Sequence, residues 1–353
     1  MKKYLLTGCC GFIGSNFIHY MLKKYTDIEI YNIDALTYAG NLANLNDITK
    51  DTRYHFIKGD IGNKKLVDKL FNENDFDYVI NFAAESHVDR SIKNPEIFVK
   101  TNIMGTVNLL NIAKKYWLID KKFKKGKKFL QISTDEVYGS LGQTGLFNEN
   151  TPLNPHSPYS ASKTSADVLV SAYFDTYKMP VNITRCSNNY GEYQFPEKLI
   201  PLCFNNAKNL TNIPVYGDGN QIRDWLYVID HCKAIDLVLH NAQDGEIYNI
   251  GGNNERTNIC IVQLIIDYVQ KNITPSCNDN LIKHVQDRLG HDKRYGIDAS
   301  KIKKDLGWFP ETTFETGIIK TLNWYKDNQD WCNHITSGDY AKYYKKMYED
   351  KGI

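Results

Sequence analysis

The feature that most limits what this chain can fold into is an alternation through its first half. Short apolar runs at 4–6, 28–33, 54–57, 78–82, 129–132 and 181–184 are separated by helix-like amphipathic stretches at 13–24, 64–72, 97–116 and 159–178. Runs with apolar residues at successive positions suit strands buried on both faces, and strands alternating with helices close into βαβ crossovers. The prediction is therefore an α/β fold: a Rossmann-like, doubly wound parallel sheet over 1–185. Beyond Cys186 the alternation loosens, with turns marked at Pro214, Gly217-Asp218-Gly219 and Gly251-Gly252-Asn253. Residues 186–353 read as a smaller C-terminal substrate-binding domain, with 224–249 packing back onto the first.

Composition acts here by exclusion. The 43 Lys and Arg residues against 41 Asp and Glu give a net charge of +2, so no strong field draws the chain to nucleic acid or an acidic membrane surface. The N-terminal apolar stretch breaks at Gly8, too early for a signal-peptide core, and no run approaches the ~18 apolar residues of a membrane span. The eight cysteines form no CxxC pair, which suits reduced thiols rather than a secreted disulfide scaffold. A cytoplasmic protein is expected, with no metal, nucleic-acid or membrane partner. The eight lysines of 114–128 read as a solvated loop between a helix and the next strand.

Gly8, Gly11 and Gly14 lie between the first strand and the first helix, in Gly-Cys-Cys-Gly-Phe-Ile-Gly. Such a loop can turn tightly and bring backbone close to a pyrophosphate, while the helix N-terminus supplies unpaired N–H groups and the positive end of its dipole. The second strand ends in Asp34. A carboxylate there can accept hydrogen bonds from ribose hydroxyls and repels a 2′-phosphate, so the cofactor expected is NAD rather than NADP. Asp60-Ile61 and Ala83-Ala84-Glu85-Ser86 mark further C-terminal strand ends, where such sheets place ligands.

The fifth strand ends in Ser-Thr-Asp-Glu-Val-Tyr-Gly at 133–139, and Tyr159 and Lys163 follow on a helix that Ser157 and Pro158 open. Spacing of i, i+4 puts both on one face. A tyrosine with a pKa of about 10 becomes a base at neutral pH only if stabilised by about 4 kcal/mol, and an adjacent ammonium with a cationic nicotinamide could supply that. The Tyr20/Lys24 and Tyr54/Lys58 pairs share the spacing but not the position at a strand mouth.

These blocks resemble the extended short-chain dehydrogenase/reductases, and closely the nucleoside-diphosphate-glucose 4,6-dehydratases of the dTDP-glucose type. The likeness covers nearly the whole chain. It continues through Ala-Ala-Glu-Ser-His-Val-Asp-Arg-Ser at 83–91, Ser-Asn-Asn-Tyr-Gly at 187–191, Gln-Phe-Pro-Glu-Lys-Leu-Ile-Pro at 194–201, Gln-Ile-Arg-Asp-Trp-Leu-Tyr at 221–227 and Gly-His-Asp-Lys-Arg-Tyr at 290–295. The resemblance implies NAD-dependent loss of water from a nucleoside-diphosphate-glucose, giving the 4-keto-6-deoxy sugar that feeds deoxysugar synthesis such as rhamnose.

It implies that Tyr159 takes the 4-hydroxyl proton, with Thr134 bonded to that hydroxyl and Lys163 holding the tyrosine and the nicotinamide ribose. Glu136 then takes the C5 proton and Asp135 protonates the departing 6-hydroxyl. Elimination needs one ionised and one protonated carboxyl, and an extended segment would point the two apart.

By the same resemblance Gly8, Gly11, Phe12, Ile13, Gly14, Asp34, Asp60, Ile61, Ala83, Ala84, Thr101, Tyr159, Lys163 and Asn189 hold NAD. Ser86, Thr134, Asn188, Lys198, Leu199, Pro214, Tyr216, Arg223, Asn258, Arg288 and His291 line the nucleotide-sugar site, where Arg223 and Arg288 suit a diphosphate. A homodimer through a four-helix interface of 97–116 and 159–178 is implied too.

The chain departs from the family pattern at three places. Cys9-Cys10 stands for Gly-Ala, expected to put two thiols near the pyrophosphate. Glu192 and Leu289 each stand for a proline. Alternatives are a nucleotide-sugar 4-epimerase, which has no use for Asp135-Glu136, and a non-catalytic NAD-binding protein on the same fold. The choice between dTDP and UDP stays open, because one methyl group discriminates by only ~1–3 kcal/mol.

Overall fold

The computed structural model describes residues 1–337 and 345; the rest of the predicted C-terminal domain, 338–344 and 346–353, lies outside the described residues. Seven parallel strands form the main sheet in the spatial order Ile247–Ile250, Val181–Cys186, Lys128–Thr134, Tyr78–Asn81, Lys2–Thr7, Ile28–Asp34 and Tyr54–Lys58. All residues of Lys128–Thr134 and Val181–Cys186 are buried, as helices on both faces require. Strand order reverses between Lys2–Thr7 and Tyr78–Asn81, which opens a crevice at their C-terminal ends.

Three of the four expected helices form, as Phe12–Lys24, Lys64–Glu73 and Pro158–Tyr177. The fourth is interrupted. It runs as Pro95–Phe98, a wider π-helical turn at Val99–Gly105, and Thr106–Trp117. Within that turn Asn102 is buried: its Oδ1 accepts from the Glu85 amide at 2.9 Å and its Nδ2 donates to the Glu85 carbonyl and to Ser162 Oγ. Gly105 lies so close to Ile61 that a Cβ would come within 2.6 Å of its Cδ1. Side-chain demands on a neighbouring strand end thus outweigh helical regularity, which no periodicity records.

The lysine-rich segment also differs from a plain solvated loop. Two short strands, Leu118–Ile119 and Lys122–Phe123, pair antiparallel. Lys127 and Lys128 are buried: Lys127 Nζ lies 3.1 Å from Asp75 and 3.3 Å from Asp77, and Lys128 Nζ donates to the Ala242 carbonyl at 2.5 Å. Lys128 Nζ also lies 3.3 Å from Asp244, so carboxylates distant in sequence draw these two inward.

Beyond Cys186 the chain serves both halves of the molecule. The Val228–Asn241 helix packs on Phe12–Lys24, and Ile247–Ile250 supplies the outer strand of the main sheet. The remaining elements surround a second core of Tyr190, Phe204, Ile265, Phe314 and Tyr325. Among the described residues, no helix is long and apolar enough to cross a membrane.

Candidate active site

The crevice continues into a cleft in two joined parts. The deeper part, about 310 Å³, lies over the sheet's C-terminal ends and is lined by Gly8, Gly11, Phe12, Ile13, Gly14, Asp34, Asp60, Ile61, Ala83, Ala84, Thr101, Asn189, Thr134, Asp135, Tyr159 and Lys163. The second, about 180 Å³, lies between the halves and is lined by Leu199, Pro214, Tyr216, Arg223, Asn258, Arg288 and His291. Ser86, Glu136, Asn188 and Lys198 border both. Every site residue expected from the sequence therefore borders one part or the other.

The glycine loop fits a dinucleotide. Gly8 has φ +70, and a Cβ on it would lie 2.6 Å from Ala83 Cα; at Gly14 a Cβ would lie 2.5 Å from Cys9 Cα. The helix has Gly11 as its N-cap and no side-chain cap, leaving its first N–H groups to face a ligand. Asp34 Oδ1 accepts from the Leu36 amide at 2.7 Å and Oδ2 from the Cys10 amide at 2.8 Å, which fixes the carboxylate at the rim.

One expectation fails here. Cys9 and Cys10 are fully buried in the core and do not line the cleft, and burial raises both thiols above their ordinary range. The loop turns their side chains inward, where Asn32 Nδ2 donates to Cys10 Sγ at 3.5 Å. Glu192 has also found partners: its carboxylate accepts from the Tyr227 hydroxyl and its carbonyl from Asn16 Nδ2. Leu289 is 75% exposed.

Tyr159 and Lys163 sit in the first turns of the Pro158–Tyr177 helix, behind a capping box in which Ser157 Oγ accepts from the Ser160 amide and Ser160 Oγ from the Ser157 amide, each at 3.0 Å. Lys163 Nζ donates to the Ile132 carbonyl at 2.6 Å, and burial lowers its pKa. Burial pushes the Tyr159 phenol well above its ordinary range, and Glu136 pushes the same way. Within the protein alone the tyrosine is thus held protonated, contrary to what a base needs. The Tyr20/Lys24 pair instead surrounds the buried Asp236, a structural role.

Asp135 and Glu136 do not lie on an extended segment. Thr134 Oγ1 accepts from the Glu136 amide at 3.3 Å and opens a single 3-10 turn, Asp135–Tyr138. Successive residues of such a turn point roughly 120° apart, so the separation arises from the turn rather than from strand alternation. Asp135 is buried, its Oδ1 accepts from the Thr134 hydroxyl at 3.2 Å, and its Oδ2 is among the buried atoms without a partner. Burial first and then Glu136 raise its carboxyl well above the ordinary range. Burial raises Glu136 too, but Arg223, Lys198 and Arg288 pull it back toward ionisation. Two adjacent carboxyls therefore occupy unlike electrostatic surroundings.

The two arginines are held differently. Arg223 donates to the Ile222 and Asp292 carbonyls at 2.8 and 2.9 Å, whereas Arg288 is paired with Asp89. Sequence reasoning omitted His87, Gln194, Glu197 and Tyr295, which also line the substrate part. Burial and the surrounding cations Lys198, Arg288 and Arg90 keep His87 neutral. All four lie inside the motif blocks, so position within those blocks was the available signal. A further connection was invisible in sequence: Trp331 Nε1 donates to Asn44 Oδ1 at 2.8 Å, and Asn44 Nδ2 donates to the Cys10 carbonyl at 2.9 Å, tying the Gln329–Ile335 helix to the glycine loop.

The profile of the GDP-mannose 4,6-dehydratase family matches residues 5–321. The chain is 50% identical to dTDP-glucose 4,6-dehydratase of Xanthomonas campestris pv. campestris over 345 residues, covering 96% of this chain and 97% of that protein. Its fold is similar to the crystal structure of dTDP-glucose 4,6-dehydratase from Bacillus anthracis in complex with NAD, with TM-score 0.85 and 49% identity over 95% of this chain and 100% of that one. It is also similar to the Streptomyces venezuelae dTDP-glucose 4,6-dehydratase with NAD and TYD bound, with TM-score 0.87 and 41% identity over 94% of this chain and 99% of that one.

Proposed function

The chain belongs to the nucleoside-diphosphate-glucose 4,6-dehydratases of the extended short-chain dehydrogenase/reductase family, and on that premise we propose that it removes water from dTDP-glucose to give the 4-keto-6-deoxyglucose nucleotide. The observation that carries this reading is the Asp135-Glu136 pair. Both carboxyls face the deeper part of the cleft, and Glu136 alone of the two also faces the nucleotide-sugar part.

The glycine loop and Asp34 would hold NAD, which would supply hydride-transfer chemistry beside the sugar. The Tyr159 phenol, kept protonated by burial in the protein alone, would act as the base beside the Lys163 ammonium once a bound nicotinamide added its positive charge. Tyr159 then takes the 4-hydroxyl proton, with Thr134 hydrogen-bonded to that hydroxyl, and the 4-ketone acidifies the C5 hydrogen. Glu136, which burial raises but three cations pull back toward ionisation, removes that proton. Asp135, held protonated, gives its proton to the leaving 6-hydroxyl. An epimerase performs no elimination and has no role for this pair.

The preference for dTDP rests on the relatives, and UDP-glucose is the competing substrate. A place in deoxysugar synthesis such as rhamnose follows from the product's chemistry. The eight free thiols support a reducing, cytoplasmic compartment. We also read the chain as a homodimer, supported by Val99, Met104 and Val168, large apolar residues exposed on adjacent helical segments.

Product formation from dTDP-glucose and UDP-glucose, read by the keto-sugar's absorbance in alkali, tests the assignment. Glu136→Gln should lower turnover by about 10²–10⁴-fold. Formation of the 4-epimer without any keto-sugar would overturn it.

A further inference from the structure

Arg288, Gly290, His291 and Asp292 of the 286–292 strap border the nucleotide-sugar part of the cleft. Ties within the C-terminal half fix this strap: His291 Nδ1 to Asp287 Oδ1 at 2.6 Å, Gln221 Nε2 to Asp287 Oδ2 at 3.2 Å, and Arg223 to the Asp292 carbonyl at 2.9 Å. Arg288 reaches across the cleft instead. Its Nε donates to Asp89 Oδ1 at 2.6 Å and its Nη2 to Asp89 Oδ2 at 3.0 Å. The Tyr216 hydroxyl donates to the same Oδ2 at 3.1 Å, and the guanidinium lies 4.9 Å above the Tyr216 ring. Asp89 itself is 8% exposed, in the short helix Val88–Lys93.

A guanidinium offers two forks, one from Nε and Nη2 along its side and one from Nη1 and Nη2 at its end. Asp89 occupies the side fork. The end fork has no acceptor among the described residues, and Arg288 lines the cleft. We propose that Asp89 is a positioning residue for nucleotide recognition: it grips Arg288 and Tyr216 together so that the end fork of Arg288 is presented to the substrate's diphosphate. This rests on the substrate reading above.

Two effects oppose one another. The charge of Asp89 offsets that of Arg288 and so weakens attraction for a diphosphate. Against this, a long side chain freed from Asp89 loses its orientation and is drawn toward Glu136, whose charge already acts on it. Two fixed N–H groups aimed at a ligand outweigh one net charge on a mobile chain.

Calorimetric titration with dTDP and with UDP measures the effect without turnover, so it is readable even if no nucleoside-diphosphate-glucose is consumed. Asp89→Asn should weaken dTDP binding and raise the sugar KM roughly tenfold or more, with kcat and NAD affinity little changed. In an Arg288→Ala background the same change should have no further effect. Unchanged or tighter dTDP binding in Asp89→Asn would overturn the proposal and leave Asp89 a charge-neutralising group. An equal loss in the Arg288→Ala background would also overturn it, because Asp89 would then act otherwise than through Arg288. Should Asp89→Asn fail to fold, Tyr216→Phe removes one arm of the grip and should produce a smaller loss of the same sign; no loss there would count against the proposal.

Discussion

At the scale of single residues, the proposed chemistry uses groups held in protonation states they would not have in water. Asp135 shows this with a measurable sign. Its ordinary pKa is 3.8 and the folded protein raises it well above that, burial being the largest cause. Between those two values the unfolded chain has lost the proton that the native state keeps. Stability from this group is therefore fully present below the ordinary value and is lost as pH rises through the raised one, at about 1.4 kcal/mol per pH unit in that window. Asp135→Asn cannot ionise, so its stability relative to the parent should increase between pH 5 and pH 8. Urea unfolding at the two pH values checks this, and a pH-independent difference would show that Asp135 ionises as an ordinary carboxyl. The same variant lacks a transferable proton and should lose dehydration.

At the scale of elements, the site is assembled from strand ends and helix starts, where backbone groups lack regular partners. The 3-10 turn after Lys128–Thr134 aims the carboxyls, and the capped start of Pro158–Tyr177 aims the phenol. Ser157→Ala removes the side-chain acceptor for the Ser160 amide, which costs about 1 kcal/mol. Because Tyr159 occupies the turn that would fray, kcat should fall by roughly tenfold or more while NAD binding persists. Unfolding curves and single-turnover rates on one preparation would separate the two effects; a stability loss with unchanged kcat would mean that Tyr159 is positioned by its packing and not by the cap. Positions were legible here because capping and i, i+4 spacing are local rules. The π-helical turn was not, since Asn102 is drawn inward by the Glu85 backbone in the loop after the Tyr78–Asn81 strand.

At the scale of the whole molecule, the cofactor and substrate parts of the cleft meet where the two halves meet, and Glu136 borders both. The Thr106–Trp117 and Pro158–Tyr177 helices pack together, with Tyr173 donating to Asn111 at 2.8 Å and Lys114 3.7 Å over the Tyr177 ring. Val168 and Met104 nevertheless remain 54% and 58% exposed. The homodimer proposed above would cover this face. Light scattering should give twice the mass of one chain, and Val168→Asp should shift the population toward single chains at micromolar concentration. A single-chain mass for the parent protein would refute the dimer.

The sheet, the glycine loop, Asp34 and the Thr134–Tyr159–Lys163 set were legible in the amino-acid order alone, because strand burial, helix capping and phosphate approach obey rules a few residues long. It also carried the family resemblance, and with it the residues that border the cleft. Tertiary structure alone decided that Cys9 and Cys10 face the core, that Lys127 and Lys128 are buried, and that Asp135 and Glu136 stand in unlike surroundings. It decided as well that Arg288 is held by a carboxylate 199 residues away. Each of these depends on burial and charge supplied by elements remote in sequence, and such energies exist only once the chain has closed on itself.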